Sequence, residues 1–309
     1  MDIAKILDEA IRDEEMKQDS TLKNGYKVDE KTVYYGYIEN ECWDKFVSKM
    51  KKDNPMAYER YGNGGGKELE VRNVKKDTFP PKMASFGSSS RMIFNLSKEN
   101  EKNGFLFEEK LSTTIGGEAN LDGFWSRKDC NIYIEAKCRE PYGTKNEEVS
   151  MKYEKLYQAI SNSSDTDLSC QVTRKKKKQK DKEIEVLSVK FLYGGKQIQY
   201  FDMKQMICHL LGIGTSALKG ETGDKDIEFW YLLYNPSELN IQDVNAKRLI
   251  MERHEDVCKC AEIDFVNLFK VVLEYLQKEE NLGEGLDITE IASRFTFHWY
   301  DQKSYKRRM

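Results

Sequence analysis

The chain has 309 residues, 39% of them hydrophobic, and its 50 basic and 53 acidic residues give a net charge of −3. This length allows one large or two medium domains. The 17 Tyr, 14 Phe and 4 Trp residues suffice for a packed core, which argues against a disordered chain. The charge balance argues against a protein that coats nucleic acid with uniform positive charge, so any DNA contact must come from local basic patches.

The sequence also argues against secretion and against a membrane partner. Residues 1–12 are amphipathic and charged, unlike a signal peptide, and no apolar run is long enough to cross a bilayer. The seven cysteines form no Cys-x-x-Cys pair and the three histidines are scattered, which argues against a zinc site. We therefore expect a cytoplasmic protein with free thiols.

Residues 1–84 are predicted to form a mainly helical extension. Apolar residues at helical spacing, such as Ile3 and Leu7 and later Trp43, predict its helices. A Gly-rich loop follows at residues 62–66. It lacks the Walker spacing with Gly-Lys-Ser/Thr, so a flexible connector is favoured over a phosphate-binding loop.

From residue 85 onward the pattern changes to alternating helices and strands. The serine run that begins at Ser88 and ends before Arg91 is typical of a helix N-cap, although such a helix start can also hold an anion. The next helix is predicted from about Gly104 to Thr114, where Gly116 and Gly117 end it. This helix would carry Glu108.

An acidic hairpin comes next, with strands predicted at residues 119–125 and 131–138 and a polar turn between them. Asp122 lies in mid-strand, where Asp is disfavoured. On the second strand Glu135 and Lys137 share one face, because alternate residues of a strand point the same way. Two clustered carboxylates suit a hard divalent cation such as magnesium. A solvated strand face is the alternative for Glu135 and Lys137.

The order Asp122, 13 residues, then Glu135-x-Lys137 resembles the PD-(D/E)xK nuclease superfamily, which has the restriction-endonuclease-like fold. That family often adds an acid on a preceding helix in a Gly-x-x-x-Glu setting, which Gly104 and Glu108 match. The chain departs from the pattern in that no Pro precedes Asp122. The serine run and the Pro-Pro-Lys-Met-Ala-Ser run at residues 80–85 are more narrowly similar to bacterial restriction endonucleases.

The resemblance implies magnesium- or manganese-dependent hydrolysis of DNA phosphodiester bonds. Asp122 and Glu135 would be the metal ligands, the carbonyl of Ala136 an accessory ligand, and Glu108 a further metal-binding or supporting acid. Lys137 would orient the attacking water. The main alternative is a nucleic-acid-binding protein that keeps the nuclease fold without catalysis. The resemblance leaves open a homodimer and a partner methyltransferase.

Two segments after the hairpin are candidates for DNA contact. A helix is predicted at residues 147–160, and it carries Gln158 at a position where related nucleases often place a residue near the substrate. Residues 174–182 hold seven basic residues and one acid within a predicted loop at about 161–182. The run reads either as a solvated, mobile loop or as a phosphate contact without sequence information. The basic residues of this run that we predict to contact DNA are Arg174, Lys175, Lys176, Lys177 and Lys178.

The remaining sequence completes an α/β fold. Residues 185–193 and 227–234 are predicted strands, and 203–213 and 265–276 are predicted helices. On the first of these helices Gln205 and His209 are four residues apart, and a packed pair is favoured there over a metal-binding one. Residues 85–309 are therefore predicted to form a three-layer restriction-endonuclease-like core, with a mixed β-sheet between helices.

Overall fold

The computed structural model of the protein describes residues 2–63, 68–74, 77–142, 148–179 and 182–309. Within these ranges the N-terminal part consists of helices and short hairpins: α1 (Ile3–Gln18), β1 (Asn24–Lys27), β2 (Val33–Ile38), α2 (Asn40–Asp53), α3 (Pro55–Asn63), β3 (Arg72–Val74) and β4 (Asp77–Phe79). Helix α4 (Ser89–Ser97) follows. It leads into three consecutive strands: β5 (Phe105–Ser112), β6 (Glu118–Ser126) and β7 (Cys130–Lys137).

The second half of the chain adds a separate hairpin, helices and two further strands. Its elements are β8 (Glu148–Ser150), α5 (Glu154–Asn162), β9 (Leu168–Gln179), β10 (Lys182–Tyr193), β11 (Lys196–Gln197), α6 (Met203–Leu218), β12 (Asp226–Leu233), α7 (Val244–Cys258), α8 (Phe265–Glu279), α9 (Ile288–Ser293), β13 (Phe295–Tyr300) and α10 (Gln302–Arg308). The predicted strands at 185–193 and 227–234 and the predicted helices at 203–213 and 265–276 are confirmed.

A mixed sheet of five strands, in the order β13-β12-β7-β6-β5, lies at the centre of the fold. Strands β5, β6 and β7 form an antiparallel meander, while β12 pairs with β7 in parallel and β13 pairs with β12 in parallel. Helix α6 lies between β7 and β12 in the chain and supplies part of the connection that two parallel neighbours require. The predicted α/β class with a mixed sheet is confirmed.

Two hydrophobic cores cover the two faces of this sheet. The α6 core contains residues of α5, α6 and α8, among them Leu210 and Leu273, with Phe229 from β12. The α1 core contains residues of α1 and α4, such as Leu7 and Ile93, with Ile132 and Ile134 of β7 among others. The central strands β7 and β12 are therefore buried on both faces, as the nearly continuous apolar sequence of β12 indicates for that strand.

Two predicted elements prove wrong. Residues 104–114 do not form a helix, because Phe105 and Phe107 alternate with period two and pair with β6 as strand β5. Residues 174–179 of the basic run are not a loop either, and residues 180–181 lie outside the described residues. Residues 174–179 lie on β9, which pairs with β10 along its whole length, from Leu168 opposite Tyr193 to Gln179 opposite Lys182. In both segments, pairing with a neighbouring strand outweighed the local sequence pattern that had predicted a helix or a loop. Residue 147 of the predicted helix 147–160 lies outside the described residues, and of the others only those from Glu154 onward are α-helical.

Candidate active site

The sheet brings Glu135 and Lys137 into a buried position at the end of β7. All eight residues of β7 are buried; Glu135 is 2% exposed and Lys137 is 8% exposed. The interpretation of this pair as a solvated strand face is therefore wrong. Residues of this polarity are almost never fully buried without a partner. Each accordingly has one: the Lys137 ammonium forms an ion pair with Oε1 of Glu135.

Asp122 connects the two strands of the hairpin where their backbone pairing stops. The observed pairs of β6 and β7 end at Gly123 and Ile134. At the next step the backbone N–H of Ala136 donates instead to Oδ2 of Asp122, with 2.7 Å between the atoms. The Asp122 side chain thus takes the place of a backbone carbonyl, which explains why an Asp is tolerated in mid-strand.

Strands β5 and β6 change faces at Glu108 and Asp122. The odd-numbered residues of β5 and β6 pack on two sides: Phe105, Phe107 and Trp125 in the α1 core, and Leu111, Ala119 and Leu121 in the α6 core. A regular strand keeps alternate residues on one face, so both strands must be irregular between these groups. Glu108 shows the irregularity directly, with a φ of 52° in the left-handed region. Such strain in a non-glycine residue is often found at functional sites.

The four predicted catalytic residues line one cavity of about 550 Å³. Glu108 arrives from β5, Asp122 from β6, and Glu135 and Lys137 from β7. Gln205 of α6 lines the same cavity. Its wall also carries basic side chains and the start of α4: Arg72, Lys82, Lys110, Arg139, Ser88, Ser89 and Ser90. The cavity can therefore hold a small ion together with part of a charged substrate.

Burial and neighbouring carboxylates raise the pKa of two carboxyl groups in this cavity, those of Asp122 and Glu108. Burial raises the pKa of Asp122 well above its ordinary value, and the Glu135 and Glu108 carboxylates add to that rise. Burial, together with Glu68 and Glu135, raises the pKa of Glu108 to about 7. A bound cation would relieve the repulsion that favours the protonated carboxyls.

Glu135 and Lys137 are charged in spite of their burial. Burial by itself raises the pKa of Glu135, but Lys137 and His209 outweigh it and bring the pKa to about 2. Burial by itself lowers the pKa of Lys137, but the carboxylates of Glu135, Glu140 and Asp122 outweigh it and hold the pKa well above its ordinary value. Lys137 is therefore an ammonium at neutral pH and not a proton acceptor.

The serine run caps helix α4. The Ser88 side chain accepts from the backbone N–H of Arg91, as predicted for an N-cap. Ser89 donates its hydroxyl to Glu140, and the other oxygen of Glu140 accepts from the backbone N–H of Cys138. An internal carboxylate thus lies at the start of α4. Of the Gly-rich loop, residues 64–66 lie outside the described residues.

The other predicted DNA contacts are not among the described residues that line the cavity. Gln158 is exposed on α5 and is not among the described residues that line the cavity. Residues 174–178 are all exposed on β9. Arg174 pairs with Glu154 at 2.7 Å, and Lys177 pairs with Glu148. Three of the five basic side chains carry an acidic neighbour, since Lys176 also lies 3.2 Å from an oxygen of Glu183.

Sequence reasoning missed the contact between α6 and Glu135. Nε2 of His209 lies 3.0 Å from Oε2 of Glu135. His209 is packed, as favoured from the sequence, with 1% of its surface exposed. The i, i+4 spacing of Gln205 and His209 was the available signal. Spacing on one helix, however, cannot show which strand residue that helix face meets.

The donor set fits a hard divalent cation. Three carboxyl side chains, Glu108, Asp122 and Glu135, supply the oxygen ligands that magnesium and manganese prefer. Among the described residues, no three His, Cys, Asp or Glu side chains stand together as a ready-made metal site. The position of the Lys137 ammonium on Oε1 of Glu135 gives a physical reason, because this contact uses one of the oxygens that a cation would need.

Comparison of the chain with protein-family models, with curated proteins and with solved structures gives no significant match. Among the described residues, no helix has both the length and the apolar character needed to cross a membrane.

Proposed function

We propose that this protein is a metal-dependent deoxyribonuclease that hydrolyses DNA phosphodiester bonds, and that it acts as a restriction endonuclease. The observation that carries the proposal is the convergence of Glu108, Asp122, Glu135 and Lys137 in one cavity. These residues come from three different strands and lie up to 29 positions apart, 137 minus 108. Perturbed carboxyls gathered with a buried ammonium in a cleft are typical of a functional site.

The arrangement of the chain supports the same proposal. A mixed sheet with a core on each face agrees with the three-layer fold implied by the resemblance to the PD-(D/E)xK superfamily. The Asp strand β6 and the Glu-x-Lys strand β7 are antiparallel neighbours. Glu108 belongs to a strand and not to the helix that the resemblance implied, so its role rests on its position in the cavity alone.

The acidic residues would hold magnesium or manganese. Asp122 and Glu135 are the ligands we propose, with the Ala136 carbonyl and Glu108 completing the protein's contribution. A bound divalent cation supplies Lewis acidity and neutralises charge on the phosphate.

Lys137 acts as a fixed positive charge. In the reaction a water oxygen forms a bond to phosphorus, the bond from phosphorus to the leaving sugar oxygen breaks, and no oxidation state changes. The water loses one proton and the leaving oxygen gains one. Lys137 orients the water and stabilises the negative charge that grows on the phosphate, because a preorganised ammonium in a buried site needs no reorientation.

DNA would also contact the ribbon formed by β9 and β10. Lys175 and Lys178 have no acidic partner at ion-pair distance among the described residues. Contacts from such lysines to phosphates position a duplex without reading its sequence. The middle of the ribbon lies near the cavity, because residues 186–188 of β10 pair with β8. Residues of β8 line a pocket that shares Gln205 with the cavity.

A non-catalytic nucleic-acid-binding protein is the second candidate. One observation favours it: the Lys137 ammonium already neutralises Glu135, so the pair can act as a structural ion pair. A binder retains DNA affinity in the presence of chelator and never cuts. A nuclease cuts only with the cation.

Plasmid DNA incubated with the protein and magnesium, manganese or chelator tests the proposal. We expect nicked or linear DNA with either metal and none with chelator. Asp122→Asn and Glu135→Gln should each abolish cleavage, and these near-isosteric changes suit buried positions. Glu41→Gln, on the exposed face of α2, is the matched control. Wild-type cleavage by folded Asp122→Asn or Glu135→Gln protein would refute the site.

A further inference from the structure

His209 is a buried polar residue directly beneath the candidate site. It lies on α6, with its ring centroid 5.9 Å from that of Phe229 in the α6 core. Its Nε2 atom lies 3.0 Å from Oε2 of Glu135. Its Nδ1 atom is buried and has no hydrogen-bond partner among the described residues. A buried imidazole of this kind costs free energy unless its contact with Glu135 offsets the loss of water.

The two oxygens of Glu135 therefore face different partners. Oε1 lies against the Lys137 ammonium, and Oε2 lies against the His209 ring. Nε2 of His209 and Oε2 of Glu135 are close enough for a hydrogen bond, but the angle between the groups is too poor to form one. Such contacts are often poorly aligned before substrate binds and become aligned in the working complex.

We propose that His209 is a positioning residue that holds Oε2 of Glu135 and thereby presents Oε1 to the catalytic cation. The inference rests on the proposed nuclease function. Among the described residues, Nε2 is the one ring nitrogen near a partner, so a hydrogen bond to the carboxylate requires the tautomer with a proton on Nε2. With Oε2 held from the α6 side, a cation competes with Lys137 for Oε1 alone. Groups that support a ligand in this way typically change metal affinity or activity by about 10–100-fold when removed.

Three substitutions separate positioning from packing. His209→Leu removes the donor and keeps an apolar side chain. His209→Gln can place an amide N–H near the former Nε2 position. Phe229→Leu loosens the same packed layer without touching Glu135, and is the matched control. Manganese binding is measured directly by electron paramagnetic resonance, beside single-turnover DNA cleavage over a range of manganese concentrations.

We expect His209→Leu to weaken manganese binding about 10–100-fold, with much of the cleavage rate recovered at saturating manganese. His209→Gln should restore most of the affinity, and Phe229→Leu should bind manganese as the wild type does. If the wild type binds manganese and cuts DNA but folded His209→Leu has unchanged affinity, positioning is refuted and the nuclease stands. Equal losses in all three variants would assign His209 to packing. A wild type that neither binds manganese nor cuts would refute the proposed function itself, and this inference with it.

Discussion

Replacing Lys137 should destabilise the protein far more than the loss of a surface ion pair would. The Lys137→Met variant keeps an apolar stem of similar length and removes the ammonium. Glu135, 2% exposed, would then be a buried charge without its main partner. Breaking a buried pair from one side costs about 3–5 kcal/mol. A surface pair costs about 1 kcal/mol or less.

The pH dependence gives the same prediction a second test. In the wild type the pKa of Glu135 is about 2, below its ordinary 4.5. The wild-type carboxylate therefore contributes stability above about pH 4.5 that is lost as the pH falls through 2. In Lys137→Met burial dominates and raises the pKa of Glu135 above its ordinary 4.5. The variant therefore takes up a proton and gains stability as the pH falls through that raised pKa. The difference in stability between the two proteins should narrow as the pH falls from neutral toward 4.5.

Urea unfolding followed by circular dichroism measures both effects. The double variant Lys137→Met with Glu135→Leu should recover much of the lost stability, because two apolar groups can replace a buried pair. Lys45→Met, which removes an exposed pair with Glu41, is the control and should cost less than about 1 kcal/mol. A loss of about 1 kcal/mol or less for Lys137→Met, independent of pH, would refute the argument from burial.

Three further predictions address the ribbon, the packing of α6 and the N-terminal helix. Replacing Lys175 and Lys178 by Ser should lower the magnitude of the salt dependence of DNA affinity by about 0.9 per lost phosphate contact, without changing sequence preference. Gly212→Ala should lower the free energy of unfolding by about 1–2 kcal/mol, because its new Cβ would lie 2.8 Å from the Cβ of Ala119. Burial raises the pKa of Asp8 to about 6, so the folded state holds an extra proton between about pH 4 and 6. Stability from this group falls as the pH rises through that window, and Asp8→Asn should remove that slope from pH-dependent unfolding curves.

Each of these has a control of its own. Replacing Lys219 and Lys247, which are exposed but lie outside the ribbon, by Ser should leave the salt dependence of DNA affinity unchanged. A fall equal to that of the ribbon variant would show that the ribbon makes no specific contact with DNA. Gly62→Ala, in a helix with open space around it, should be neutral or stabilising. Destabilisation there as large as at Gly212 would refute the close approach. If Asp8→Asn keeps the wild-type slope, the raised pKa of Asp8 is refuted.

Strand β7, which carries Glu135 and Lys137, and its neighbour β12 were readable from the sequence. Ile132 and Ile134 alternate with Glu135 and its neighbours, and the apolar run at residues 227–234 is too continuous for a half-exposed strand. Both segments fold as predicted, because period-two alternation and uninterrupted apolar runs have few other solutions. The N-cap at Ser88 followed from the same kind of local rule.

Other features depended on pairing between distant segments. The segment 104–114 satisfies a helical spacing locally, but pairing with β6 makes it a strand and brings Glu108 into the cavity. Residues 174–179 of the basic run belong to strand β9 because residues 182–193 pair with that strand. Rules that use only neighbouring residues take no account of a distant partner strand, so they could not predict these two strands.

The burial of the site was decided by tertiary structure alone. Alternation established that Glu135 and Lys137 share a strand face, but it could not establish that α6 covers that face. Once α6 packs there, water is excluded and the pair must neutralise itself. The packing of α6 also places His209 against Oε2 of Glu135. The sequence determined which residue types share the strand face, while the helix that packs on that face decided their protonation and their partners. Both depend on the exclusion of solvent by α6, whose His209 lies 74 positions from Glu135, 209 minus 135.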